Sequence, residues 1–165
     1  MVGSSSSHIG PVIKCQICGN TKLQPVLSLG HHPVPQEYLT KERLHQMEAT
    51  YPLALIYCDE CGLVQLDEVV SPEKLFRNYH YLTSASQPLI DHFRSLAQES
   101  VHRHFVSAGS KVLDVGANDG TLLKAYSQIV RRVGVDPSMN ALRHYYQPNI
   151  ETHTGFFDDL TLDGP

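Results

Sequence analysis

The sequence predicts an α/β protein in three unequal parts: a small β-rich N-terminal domain clamped by cysteines, a helical linker, and the first part of a parallel sheet. Three observations predict it. Two matched C-x-x-C-G knuckles lie near the N-terminus, at Cys15–Gly19 and Cys58–Gly62. An apolar stripe at helical spacing occupies the middle of the chain. After it, Lys111–Val115 is a short apolar run that leads directly into a glycine-containing turn and a helix-forming stretch, Thr121–Tyr126. The predicted boundaries are a disordered, serine-rich tail over 1–11, the clamped domain over 12–70, the linker over 71–108 and the sheet over 109–165.

Composition limits the function. The 165 residues suffice for one large or two small domains, and 41% hydrophobic with 18% charged residues is a soluble globular mixture. A net charge of −4 argues against a nucleic-acid partner, which calls for a basic face. No apolar run approaches the roughly 20 residues of a membrane span, and residues 1–10 lack the charged-then-apolar order of a signal peptide. The expectation is a cytoplasmic protein without membrane contact. The ten histidines are scattered, and none is assigned chemistry by its spacing.

The four cysteines form two pairs separated by 39 residues, with none left over. Each C-x-x-C presents two thiolates to one ion, and Gly19 and Gly62 suit the left-handed turn that closes a knuckle. Cys15, Cys18, Cys58 and Cys61 together complete the tetrahedral set that structural Zn²⁺ prefers and leave no open coordination position for catalysis. The rivals are two disulfides, which fit a secreted chain, and a redox pair, which needs no twin. A segment of about sixty residues is marginally stable alone, so the metal is expected to hold it together. Around the knuckles, Leu23–Leu29 reads as a strand stopped by Gly30, His31–Pro35 as a stiff loop and Lys41–Glu48 as a short helix. Tyr51–Tyr57 reads as a strand, with Gly62–Leu66 continuing beyond the second knuckle.

Ser71-Pro72-Glu73 opens a helix, with serine at the cap, proline in the first turn and glutamate at the positive dipole end. The aromatic segment Tyr79–Ser86 follows, then a longer helix over 87–106. Its stripe of Ile90, Phe93, Ala97 and Val101, with Leu89 and Leu96 beside it, is expected to pack on the sheet. Gly109 ends it. The sheet continues with a second strand, Arg131–Val135, a second helix over 138–146 capped by Ser138, and a third strand over 149–154.

The turn Asp114-Val115-Gly116-Ala117-Asn118-Asp119-Gly120 carries the chemistry. A phosphate loop would need Gly-Lys-Ser/Thr, and a dinucleotide fingerprint three glycines; neither is present. Asp-x-Gly-x-x-x-Gly after a strand resembles motif I of the S-adenosylmethionine (SAM) methyltransferases, whose sheet is Rossmann-like. Asn118 stands where a glycine is usual, and asparagine tolerates left-handed backbone. Asp136, 22 residues beyond Asp114 at the tip of the second strand and followed by Pro137, is placed to accept hydrogen bonds from a ribose diol. Phe156 or Phe157, at the tip of the third strand, offers a ring for adenine, with core packing as the alternative. The plain alternative for the whole stretch is a βαβ unit with structural glycines.

The joint pattern is more specific. C-x-x-C-G, Leu27-Ser28-Leu29-Gly30 with Pro33, Pro52–Leu55, C-x-x-C-G-L-V-Q-L, Leu75-Phe76 with Tyr79 and Tyr81, and Asn118-Asp119-Gly120 resemble the zinc-containing, SAM-dependent sugar C-methyltransferases of deoxysugar biosynthesis. The resemblance runs from about Lys14 to Phe157; Pro35-Gln36 departs from it. It implies SAM and structural Zn²⁺ as cofactors, and a nucleotide-linked 4-keto-deoxysugar methylated at the carbon beside the keto group. It implies a cofactor site built from Asp114, Gly116, Asn118, Asp119, Gly120, Asp136, Pro137, Tyr81 and Phe157, with the Tyr79–Ser86 segment as its cover. His80 is the histidine to test for proton transfer. The usual base is expected beyond Pro165, because 165 residues hold at most three strands of such a sheet and leave Lys111–Val115 as an apolar edge. The expectation is a fragment, or a sheet completed by self-association or a partner chain. Two alternatives stay open: a non-catalytic zinc module with a vestigial nucleotide fold, and an NAD(P)-dependent sugar-modifying enzyme.

Overall fold

A computed structural model describes residues 9–144 and 147–160. The tail over 1–8, the end of the helix expected over 138–146 and residues 161–165 lie outside the described residues. The chain divides into two compact units, Met1–Leu75 and Phe76–Pro165, so that the linker residues from Phe76 onward group with the sheet.

In the first unit, β1 (Gly10–Pro11) follows the tail, and β2 (Leu23–Pro33) follows the first knuckle. The second knuckle joins β3 (Thr50–Cys58) to β4 (Val64–Leu66), and β5 (Glu68–Val69) comes next. β2, β3 and β4 form an antiparallel sheet in that order, and β1 pairs with β5. The register sets Leu23 opposite Cys58, so both knuckles sit at one end of the sheet. Gly30 does not stop β2. It lies at φ 84° inside a register shift between Ser28 and His31, and the strand resumes through His31-His32-Pro33 opposite Tyr51-Pro52. Glycine absorbs the extra residue of a bulge because it has no Cβ to clash there. The helix expected over 41–48 reduces to a single 3₁₀ turn, Lys41–Arg43.

α1 (Pro72–Phe76) is one turn following Ser71, and α2 (Gln87–His102) follows the aromatic segment. α2 ends four residues short of the expected Val106. His104 takes left-handed backbone at φ 62°, and the amides of His104 and Phe105 turn back onto the carbonyls of Val101 and Ser100, which closes the helix. α2 packs chiefly on α3. Only Ala97 of its stripe is fully buried; Leu96 and Val101 remain exposed.

The sheet comprises β6 (Lys111–Val115), β7 (Arg131–Asp136) and β8 (Ile150–Thr154), linked by α3 (Thr121–Ala125) and α4 (Met139–Leu142). All pairings are parallel, in the order β6-β7-β8. β7 is central and buried from Arg132 to Asp136. β6 has no strand on its outer side among the described residues, and Val115 is 54% exposed, the apolar edge that three strands imply. Ala117, Leu123 and Ile150, with Val112 and Leu142, form the core. Parallel register brings the C-terminal tips of all three strands to one end. There Gly116 and Ala117 donate to the Val135 carbonyl, and Gly155 donates to that of Asp136.

Candidate functional site

The four cysteine sulfurs lie within 4.8 Å of one another. Across the knuckles, Cys15 Sγ is 3.5 Å from Cys61 Sγ, and Cys18 Sγ is 3.5 Å from Cys58 Sγ. A disulfide needs about 2.05 Å. Four sulfurs at 2.3 Å from a tetrahedral Zn²⁺ stand about 3.8 Å apart, so the cluster fits the ion closely. The knuckles supply their own amide donors: Gly19 bonds the Cys15 carbonyl, and Gly62 that of Cys58. The Cys18 amide on its sulfur lowers Cys15 to about 6, and the Cys61 amide lowers Cys58. Cys18 has the Asn20 amide, which lowers it, but desolvation and the neighbouring thiols push it up to about 12. Without a cation, four clustered thiols cannot all ionise; a divalent ion removes that conflict. Asn20 Nδ2, 3.8 Å from Cys58 Sγ, adds an outer hydrogen bond.

At the sheet tips a cavity of about 450 Å³, a size usual for small-molecule sites, is bounded by β6, β7, β8 and the aromatic segment. Of the residues expected to hold the cofactor, Gly116, Asn118, Asp136, Pro137 and Phe157 line it. Gly116 takes φ 74°, and a Cβ there would meet no atom within 4 Å, so bare backbone faces the space. Asp136 is buried; its Oδ2 accepts the Asn118 amide at 2.8 Å and its Oδ1 the Ser138 amide at 2.7 Å. Two ionised oxygens offer about four acceptor positions, so each retains capacity beyond these bonds.

Asp114, Asp119, Gly120 and Tyr81 lie outside the cavity lining. Asp119 is fully buried and turned inward: its Oδ2 accepts the Ser84 amide at 2.9 Å, and its Oδ1 accepts from the Thr121 amide and hydroxyl. These bonds hold its carboxyl below the usual range, against the cost of burial. Gly120 supplies the left-handed step, φ 71°, into α3. Asp114 is half-buried in β6, and desolvation, followed by the nearby Asp136 charge, pushes it up to about 6. Tyr81 contributes its carbonyl, which accepts Asn118 Nδ2 at 2.9 Å. His80 is exposed and outside the lining.

The lining also includes Phe156, expected as the alternative ring for adenine, Tyr79, from the segment expected to cover the cofactor, and Phe76, Val115, Val135 and Asp158, which the site expected from sequence omits. Tyr79 packs edge-on against Phe76 and Tyr81, with centroids 6.0 and 6.4 Å away. Arg77 sits 5.8 Å over the Phe156 ring. The signal that marks this stretch in the sequence is the density of aromatics over 76–81. Among the described residues, no helix is long and apolar enough to cross a membrane.

Comparison with known proteins bears on both sites. Residues 15–76, which contain all four cysteines, match a family model described as "Putative zinc binding domain". Over 133 residues, 80% of this chain, the sequence is 33% identical to the C-methyltransferase NovU of Streptomyces niveus, and the match covers 32% of that relative. The chain therefore spans about a third of the length of the relative it matches. The cysteine cage thus lies in a segment similar to a zinc-binding domain, and most of the chain is similar in sequence to part of a C-methyltransferase.

Proposed function

We propose that the sheet unit binds SAM and that the chain serves C-methylation of a nucleotide-linked keto-deoxysugar. The observation that carries this reading is the single cavity edge at which the bare Gly116 turn and the Asp136 carboxylate meet. Gly116 lets a ligand approach the main chain. Asp136 has acceptor positions for a ribose diol, and such charge-assisted bonds are stronger than neutral ones. Phe156 and Phe157, beside Pro137, offer apolar faces for an adenine ring. SAM, when bound, supplies an electrophilic methyl group.

The residues on hand serve binding and orientation. Val115, Val135 and the aromatic rings give the cavity an apolar lining, against which a bound substrate can be oriented so that an enolate carbon meets a methyl group in line. The sugar, its keto group and the α-proton removal follow from the family resemblance. The cysteine cage is structural, because four thiolates leave zinc no position for substrate.

Calorimetry with SAM and with S-adenosylhomocysteine tests the reading. Binding by the zinc-loaded chain, weakened at least about tenfold in Asp136→Ala, is expected. A folded, zinc-loaded chain that binds neither compound would leave a non-catalytic zinc module as the better account, and competition by NAD(P) would favour the oxidoreductase alternative.

A further inference from the structure

We infer that Asn118 is a positioning residue that couples nucleotide binding to the ordering of the strap over residues 79–84. The inference rests on the nucleotide reading of the cavity. Asn118 occupies left-handed backbone, φ 51°, where glycine carries no steric cost and asparagine some. Its side chain makes full use of the position. Oδ1 accepts the Thr83 amide at 3.0 Å and the Thr83 hydroxyl at 3.3 Å, while Nδ2 donates to the Tyr81 carbonyl at 2.9 Å. All three bonds reach a segment 35 to 37 positions earlier in the chain.

Two neighbours reinforce the grip. Asp119 takes the Ser84 amide, and Ser138 Oγ donates to the Tyr79 carbonyl at 3.0 Å. Except for the 3₁₀ turn Thr83–Ala85, the strap lacks regular structure, so these side chains satisfy backbone groups that no ladder would. The same residues converge on the cavity acid: the amides of Asn118 and Ser138 both donate to Asp136. Tyr79, the strap residue in the lining, thus forms a wall whose anchors run through the groups that hold Asp136. A ligand seated against Asp136 and Tyr79 stiffens both ends of this network, and an already ordered strap lowers the entropy lost on binding.

Hydrogen exchange on the zinc-loaded full chain, with S-adenosylhomocysteine as probe, tests the coupling. In the wild type the probe is expected to slow exchange at 116–120 and also at 79–86. Asn118→Gly keeps the backbone conformation and the main-chain bond to Asp136 but removes the three side-chain bonds. It is expected to raise strap exchange about tenfold without ligand, to weaken probe affinity about 5- to 150-fold, the usual range of coupling between sites, and to abolish probe-dependent protection of 79–86. Asn118→Asp keeps the acceptor for Thr83 and is expected to recover part of the affinity. Thr83→Pro removes both Thr83 donors from the strap side. Proline is tolerated at the first position of a helical turn, and the extended backbone of Leu82 suits a following proline. It carries the test if Asn118→Gly fails to fold. Unchanged affinity together with unchanged probe-dependent strap protection in either folded variant overturns the coupling alone. A wild-type chain that binds no probe overturns the nucleotide reading, and the coupling falls with it.

Discussion

The two units are held together by different physics. Among the described residues, the buried side chains of the first unit are Cys15, Cys58 and Gln65. No aliphatic or aromatic side chain there is fully buried, and Val26, Leu27 and Leu29 of β2 are about half exposed. The second unit buries Leu123, Val133, Val135, Val130, Ile150 and Tyr126 around a central strand. One unit has a cysteine cluster where the other has a core. The contrast predicts that zinc supplies in the first unit the stability that apolar burial supplies in the second.

Metal removal tests this contrast with the largest expected effect. Structural zinc contributes on the order of 10–16 kcal/mol in finger peptides, comparable to the whole stability of a typical domain, about 5–15 kcal/mol. Chelation is therefore expected to unfold residues 12–70 while amides of β7 remain protected. If exchange in β2, β3 and β4 is unchanged after the metal is gone, the first unit has another source of stability and the contrast fails.

A core deletion should do the reverse. Leu123→Ala removes a side chain with no solvent exposure from the Ala117–Ile150 cluster. Large-to-small changes of this kind cost about 2–5 kcal/mol. Urea unfolding should show that loss in the second unit, with zinc content and the exchange of the first unit unaltered. A loss of zinc in this variant would mean that the units do not behave separately.

The same contrast decides what was legible in the sequence. The cysteine cage was readable to the residue, because a metal fixes ligand identity and spacing and four matched thiols admit few arrangements. The β6–α3–β7 run was readable because apolar strands and a glycine turn repeat a strict local pattern. Asp119 was misplaced as a ligand-facing group: an acid beside a glycine turn looks the same whether it faces a ligand or caps the Ser84 amide. Tyr79 lines the cavity from the segment expected to cover it, whereas Phe76 enters the lining through tertiary contact, which no period in the sequence encodes. Gly30 was misread as a stop because a positive-φ glycine serves a bulge as readily as a turn. The end of α2 turned on one histidine in left-handed backbone, a conformation histidine adopts too seldom to anticipate.

The smallest of the expected effects concerns Asp114, the acid on which motif I was recognised. Its carboxyl titrates at about 6, raised from 3.8 by desolvation and then by the Asp136 charge. A group whose folded value is raised contributes stability that is full below its unfolded value and lost as pH rises through the folded one. Asp114 should therefore favour folding below about pH 4 and forfeit that contribution by about pH 7. Asp114→Asn removes the titration while keeping size and polarity. With allowance for solvent screening at a half-buried site, the variant should be more stable than the wild type at neutral pH by on the order of 1–2 kcal/mol, and its stability should vary less between pH 4 and 6. Chelation separates this effect from the first unit: the difference between variant and wild type should persist in the zinc-free chain, since Asp114 belongs to the sheet. An Asp114→Asn chain less stable than wild type at pH 7 would mean that the carboxylate is held by favourable contacts, and that desolvation and the Asp136 charge do not set its titration.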